Sequence, residues 1–238
     1  LYDNSIDVLD NLAAAKKDFV LLTNAPRPNA TVINFLKKIG LKKYYENVFT
    51  SGEAAHKYLL SELHDQKFFH IGPPRDYDLF ENIEKNNVLN IEHADYLLCT
   101  GLFEGHENDL KYYKSLFSNQ VSKKMICTNP DLIVDRGEKR EFCAGSVARS
   151  FEEIKGKVIY FGKPHPPVYN LSTNVLNKRI LCIGDNLNTD IKGANIQKFD
   201  SLLVTNGIHR QEILKIELSD VLKKYEVYVD YTQKNFKW

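Results

Sequence analysis

The chain has 238 residues, room for one large domain or two modest ones. Hydrophobic residues make up 43% and charged residues 26%, an ordinary soluble composition, and the net charge of +1 gives no support for a surface that coats nucleic acid. No apolar run approaches the roughly 18–20 residues of a membrane span, so neither nucleic acid nor membrane is expected as a partner. Cys99, Cys127, Cys143 and Cys182 are isolated, with no C-x-x-C spacing. Three of them lie in or beside apolar runs and read as buried thiols, which fits a reducing cytoplasm. The chain begins with Leu1 rather than Met, and no leader pattern follows. The expectation is that residues are missing upstream or that the start has been processed.

Taken in order, Val8, Leu9, Leu12 and Ala13 have helical spacing. Residues 18–23 form an almost continuous apolar run, the pattern of a parallel strand buried on both faces. Pro26 and Pro28 punctuate a loop, and Val32, Phe35, Leu36 and Ile39 supply a helix face that Gly40 ends. A strand at 48–51 and a helix at 53–63 complete a βαβ rhythm, hence an α/β fold. In the middle, 68–71, 94–99 and 124–127 read as strands, with a helix over 107–117. Strands at 158–161, 180–183 and 201–204 follow. No linker rich in Gly, Ser or Pro divides the chain and no repeat is visible, so a second domain has to be an insertion. Trp238 is expected to pack and tie down the terminus.

Four features fall at predicted strand ends. Thr23-Asn24 follows the first strand, and Gly162-Lys163-Pro164 follows the strand at 158. Asp185 and Asp190, five residues apart, follow the strand at 180. Together they offer a hydroxyl, backbone N–H groups, an ammonium and two carboxylates. A phosphoryl group needs this set: the lysine and N–H donors offset its charge, and a carboxylate-held divalent cation offsets more. Read singly, Thr23-Asn24 is a turn or helix cap, Lys163 a surface lysine and Asp190 a cap. The order and spacing of the combination carry the reading.

Leu21-Leu22-Thr23-Asn24, Gly162-Lys163-Pro164 and Gly184-Asp185-Asn186-…-Thr189-Asp190 resemble motifs two, three and four of the haloacid dehalogenase-like phosphatases. Phe49-Thr50-Ser51-Gly52 and Cys127-Thr128-Asn129-Pro130-Asp131 resemble subclass IIA, which includes nitrophenyl, nucleotide and pyridoxal phosphate phosphatases. The resemblance covers the whole chain. It implies a Rossmann-like three-layer core with a parallel sheet at 1–53 and 157–238, and an inserted α/β cap at 54–156. It also implies catalytic roles for Thr23 and Asn24 on the phosphoryl group, and for Lys163 on phosphate and nucleophile. Asp185 would ligate Mg²⁺ with help from Asn186, and Asp190 would support the metal shell and orient Lys163. A small phosphorylated metabolite is the implied substrate, with association through the cap as a possible homo-oligomer.

Motif one, whose first Asp is the nucleophile that becomes aspartyl-phosphate, has no match in these residues. Asp3, Asp7 and Asp10 follow no apolar strand and read as solvated helix-face acids. The expectation is therefore a chain that lacks the N-terminal strand of its core and is inactive by itself. The alternative is a non-catalytic remnant or phosphate-ligand-binding protein that retains the fold. For substrate contact, Arg27, Asn129 and Asp131 are the candidates, with turn closure an equal reading for the Asn129-Pro130-Asp131 run. His165, beside Lys163, reads as structural.

Overall fold

The computed structural model describes residues 4–136, 139–172 and 178–238. Its strands are β1 (Leu21–Thr23), β2 (Val48–Thr50), β3 (Phe68–Ile71), β4 (Tyr96–Cys99), β5 (Lys124–Cys127), β6 (Ile133–Arg136), β7 (Lys139–Phe142), β8 (Lys157–Tyr160), β9 (Leu181–Gly184), β10 (Asp200–Val204) and β11 (Tyr231–Gln233). Helices are α1 (Ser5–Ala14), α2 (Asn29–Lys38), α3 (Ser51–Glu62), α4 (Leu110–Phe117), α5 (Ala144–Glu153), α6 (Pro166–Ser172), α7 (Lys192–Gln197), α8 (Arg210–Ile213) and α9 (Leu218–Tyr225). The chain divides into two compact units. One comprises Leu1–Leu21, Asn34–Asn47 and Lys163–Trp238, the other Leu22–Ile33 and Val48–Gly162.

The first unit holds a parallel three-stranded sheet in the order β11-β10-β9. Leu187, Ile191, Leu203 and Val221 form its buried cluster, backed by Ile213, Leu218, Leu222 and Tyr225. The apolar stripe of α9 supplies the last of these from successive turns. β9 is an edge strand, and Leu181 and Ile183 are 45% and 39% exposed. The expected buried strand at 180–183 is thus half-exposed, and among the described residues β10 is its one hydrogen-bonded neighbour.

The second unit is built on a parallel four-stranded sheet in the order β3-β4-β5-β8. β4 is buried along its whole length and β5 from Met125 onward, which is why both read as continuous apolar runs. Cys99 and Cys127 are opposed in register on these two strands. α4 and α5 cover the sheet through Tyr113, Phe117, Val147, Ala148 and Phe151. Phe151 meets Phe117 edge-on at 5.3 Å, and a Cβ on Gly156 would stand 2.4 Å from its ring. The strand expected at 158, assigned with the core by sequence, pairs with β5 in this unit. β6 and β7 make an antiparallel ribbon, and β1 and β2 a two-stranded pair.

Several boundaries have local causes. Thr50 accepts the Glu53 N–H at 2.8 Å and caps α3, the Thr-x-x-Glu pattern of a helix start. Gly40 has φ +106°, a conformation suited to glycine, and the chain leaves α2 there. α4 starts at Leu110 rather than 107, because Asp109 accepts the Tyr112 N–H and caps it. β1 is only partly buried, and Phe35 and Ile39 of the expected apolar helix face are 59% and 42% exposed. Trp238 is 65% exposed, so the expected packing role fails. The strands β6, β7 and β11 are additions to the sequence reading.

Among the described residues no helix is long and apolar enough to cross a membrane. Cys99 and Cys127 are buried free thiols, and Cys143 is buried. Phe151→Ala is expected to cost about 3–5 kcal/mol of stability, while Phe35→Ala changes it by about 0.5 kcal/mol or less. Urea unfolding of the two variants checks the contrast.

Candidate functional site

The candidate residues form one cluster in each unit. In the first, β9 ends at Gly184 and the chain turns at Asn186. The Asn186 side chain accepts the Asn188 N–H at 2.9 Å and caps a π-turn, Leu187–Ile191. That turn returns Asp190 to the strand end. Asp190 Oδ1 accepts from Lys163 Nζ at 2.6 Å, and Oδ2 accepts the Asn186 N–H at 3.1 Å. The two charged side chains are only 17% and 12% exposed, so water and salt screen their attraction less than at the surface. Gly184 makes room, since a Cβ there would stand 2.2 Å from Asp190 Cγ.

Asp185 is held from another direction. Its Oδ2 accepts the Ile208 N–H at 2.9 Å, from the loop that follows β10. A Cβ on Gly207 would approach that same oxygen to 2.2 Å, so the loop backbone lies directly against the carboxylate. Asp185 Oδ1 accepts nothing from the described residues. His165 is half-buried, and burial, with Lys192 nearby, pulls its imidazole below the ordinary value.

The second cluster starts where β1 ends. Thr23 Oγ1 accepts the Ala25 N–H at 3.3 Å. Asn24 is buried and its Nδ2 donates to Asp131 Oδ1 at 3.0 Å. Asn129 Oδ1 accepts the Asp131 N–H at 3.0 Å, closing a turn around Pro130. Gly145 lies under that turn, where a Cβ would stand 2.2 Å from the Pro130 carbonyl oxygen. Arg27 faces two carboxylates: Nη2 is 3.3 Å from Asp78 Oδ2 and Nε is 3.9 Å from Asp76 Oδ1. The segment after β2 clamps this loop. Ser51 Oγ and the Gly52 N–H both donate to the Ala25 carbonyl, at 2.9 and 3.0 Å. A Cβ on Gly52 would stand 2.4 Å from the Arg27 backbone nitrogen.

Lys163 and Asp190 are therefore paired directly, as are Asn24 and Asp131. Asn186 and Asn129 spend their side-chain oxygens on turns. Gly207, Ile208, Asp76 and Asp78 were missed in the sequence reading. Only Asn206-Gly207 carried a signal, the turn dipeptide after a strand. Among the described residues no three His, Cys, Asp or Glu side chains converge on one point as a metal cage would require.

Parallel α/β sheets, a strand end bearing a carboxylate with an open oxygen, and a shielded lysine–carboxylate pair are features that suit an anionic group such as phosphate. Comparison with known proteins gives the family. A model described as haloacid dehalogenase-like hydrolase matches residues 1–85, and a second of the same kind matches residues 160–226. The chain belongs to the haloacid dehalogenase-like hydrolases. It is 28% identical to a hydrolase of that family from Brucella suis, with a TM-score of 0.76 over 87% of this chain and 80% of that one. It is 25% identical to a 4-nitrophenylphosphatase from Thermotoga maritima, with a TM-score of 0.75 over 99% and 88%. These likenesses are consistent with subclass IIA. The 5′-nucleotidase YutF of Bacillus subtilis is 23% identical over 79% of this chain and 74% of its own. A cardiolipin synthase/mitochondrial hydrolase fusion protein of Schizosaccharomyces pombe is 36% identical over 28% of this chain, which spans 13% of that protein's length.

Behind Arg27, the second unit contains a buried polar chain. His70 Nε2 lies 2.8 Å from Thr100 Oγ1, and Asp76 shares that threonine while burial pushes its carboxyl up. Burial pulls the His70 imidazole down to about 4. An imidazole lowered on folding stabilises fully above its ordinary 6.5, and the contribution is lost as pH falls from 6.5 towards 4. The loss is about 3 kcal/mol. Asp76 acts in the opposite sense, so the comparison with His70→Gln isolates the imidazole. Urea midpoints from pH 7 to 4 are expected to fall more steeply for the natural chain than for His70→Gln.

Proposed function

We propose that the protein is a phosphomonoester hydrolase that depends on Mg²⁺ and works through an aspartyl-phosphate. The observation that carries this is the Lys163–Asp190 pair at 2.6 Å beside Asp185. Asp190 has both oxygens committed, so its part is to hold Lys163 extended. Lys163 offsets charge on the phosphoryl oxygens and on the attacking carboxylate. By the family resemblance, Thr23 and Asn24 would supply a hydroxyl and a backbone N–H toward a phosphoryl group. Asp185 suits a hard divalent cation, since Mg²⁺ takes one or two protein carboxylates and keeps water and phosphate oxygens for the rest. When bound, the cation supplies charge neutralisation at the phosphoryl group. Asn186 supports Asp185 through its turn.

In this reading residues 1–53 and 157–238 are the catalytic core and 54–156 the cap that selects the substrate. Arg27, Asn129 and Asp131 are the candidates for substrate contact, and the names of the nucleotidase and nitrophenylphosphatase relatives support a small phosphate monoester. The buried free thiols support a cytoplasmic location. Exposed Leu132, Ile133 and Val134 support self-association through the cap.

A second reading is a phosphate-ligand-binding protein that retains the fold. No described aspartate stands in the nucleophile's role: Asp7 is exposed on α1, and Asp10 is bonded to Lys43 at 2.8 Å and to Tyr44. Asp3 lies outside the described residues. The 238 residues alone are expected to show no turnover of 4-nitrophenyl phosphate or 5′-nucleotides with Mg²⁺. Extended before Leu1 by an apolar strand ending in Asp-x-Asp-Gly, they are expected to hydrolyse these esters. Lys163→Ala in the extended chain then costs about 10²-fold or more in kcat. Hydrolysis by the 238 residues alone overturns the nucleophile assignment, and an inert extended chain favours the binding protein.

A further inference from the structure

A basic cavity in the second unit plays no part in the mechanism above. It has a volume of about 270 Å³ and lies at the amino ends of the four-stranded sheet. Lys123, Lys124, Lys157, Gln66, Ser122 and Asp95 line it, three ammonium groups to one carboxylate. Buried Leu63 and Tyr96 complete its wall. Asp95 is engaged elsewhere, since its Oδ2 accepts the Lys67 N–H at 2.8 Å. Lys123 is fixed in place, its Nζ donating to the Ile91 and Glu92 carbonyls at 2.8 and 3.2 Å. Both of those partners are neutral, so its charge remains.

Lys124 opens β5 and Lys157 opens β8, and the two stand opposite each other in register. Residues opposed on neighbouring parallel strands share a face of the sheet, with the strands about 4.8 Å apart. Both residues are exposed, and among the described residues neither makes an ion pair. Like charges set opposite each other repel. Guarding a sheet edge accounts for a lysine on β8, the outer strand, but not for one on β5, an inner strand. Two unneutralised ammonium groups with a third around one cavity concentrate positive potential there, and an anion offsets their repulsion. Lysine meets a phosphate as a point charge and needs no fork geometry. Gln66 and Ser122 add uncharged donors.

We propose that this cavity is a binding site for a phosphate group, with Lys124 and Lys157 holding it between them and Lys123 adding charge. β5 joins the site to the turn bonded to Asn24: Lys124 starts the strand, and Asn129 and Asp131 follow its other end. One strand length, about 10 Å, separates the two. The assignment rests on the sheet's amino end alone and is independent of the reading of Asp185 and Lys163.

Acetylation of lysines in the 238-residue protein, read residue by residue by mass spectrometry, tests it. Inorganic phosphate is expected to protect Lys124 and Lys157 while exposed Lys111 stays reactive. Sodium chloride of equal ionic strength gives no such protection. Lys157→Gln is expected to raise the phosphate concentration that half-protects Lys124 by about tenfold or more, and Lys124→Gln does the same for Lys157. Lys157→Arg, which keeps the charge, recovers most of the protection. Urea midpoints check that each variant keeps the fold. Phenyl phosphate in place of inorganic phosphate distinguishes the sources: protection by the ester alone assigns the cavity to an esterified phosphate, and protection by the free ion assigns it to inorganic phosphate. Equal protection by chloride overturns the proposal. So does a Lys157→Gln chain whose Lys124 is protected at the same phosphate concentration as in the natural chain. Absence of protection by both phosphates overturns it as well.

Discussion

The first unit's chemistry depends on one carboxylate. Asp190 is anchored by the Asn186 backbone through one oxygen and holds Lys163 through the other. Three local requirements meet there: a strand end without a Cβ at Gly184, a π-turn that returns the chain at 187–191, and a cap at Asn186. A change in any of them shifts the ammonium group, because the pair is largely shielded from solvent and closely packed. Asp185 is anchored elsewhere, by the loop after β10. Asp190 and Asp185 thus have separate supports, one 4 residues away at Asn186 and one 23 residues away at Ile208.

The second unit solves a different problem. Its residues after β1 form a loop whose carbonyls would be left unpaired if the segment were merely exposed chain. Ser51 and Gly52 donate to Ala25, and Thr50 donates to the Arg27 carbonyl at 2.6 Å. Arg27 in turn answers the two carboxylates of the 3₁₀ segment Pro74–Phe80. The loop's shape is therefore set by backbone groups and by glycine contacts rather than by apolar packing. That is a more exacting constraint, since each hydrogen bond admits only a narrow range of geometry.

Legibility in the sequence followed the physics of each element. Strands buried on both faces announce themselves as apolar runs, and β3, β4 and β5 were found at or near their observed bounds, as was β10, which is buried on alternate residues. The site motifs were legible because Thr23, Lys163, Asp185 and Asp190 each follow such a run. Partners on the far side of a fold leave no local trace. Nothing in the residues around Asp185 points to Gly207, and nothing beside Arg27 points to Asp76 and Asp78. The ribbon β6–β7 was missed because its exposed Ile133 and Val134 break the alternation that marks a half-buried strand. β9 was assigned too much burial because composition does not reveal which strand lies at a sheet edge.

The opposed thiols of Cys99 and Cys127 have a use beyond packing. Burial pushes the Cys127 thiol up to about 12 and raises Cys99 as well, so neither offers a thiolate at neutral pH. Their strands are hydrogen-bonded neighbours in the middle of the four-stranded sheet. A thiol reagent reaches them only when that sheet opens, at a rate set by the opening free energy rather than by surface chemistry. The two cysteines are thus a built-in clock for breathing of the second unit, readable in a protein that carries no label.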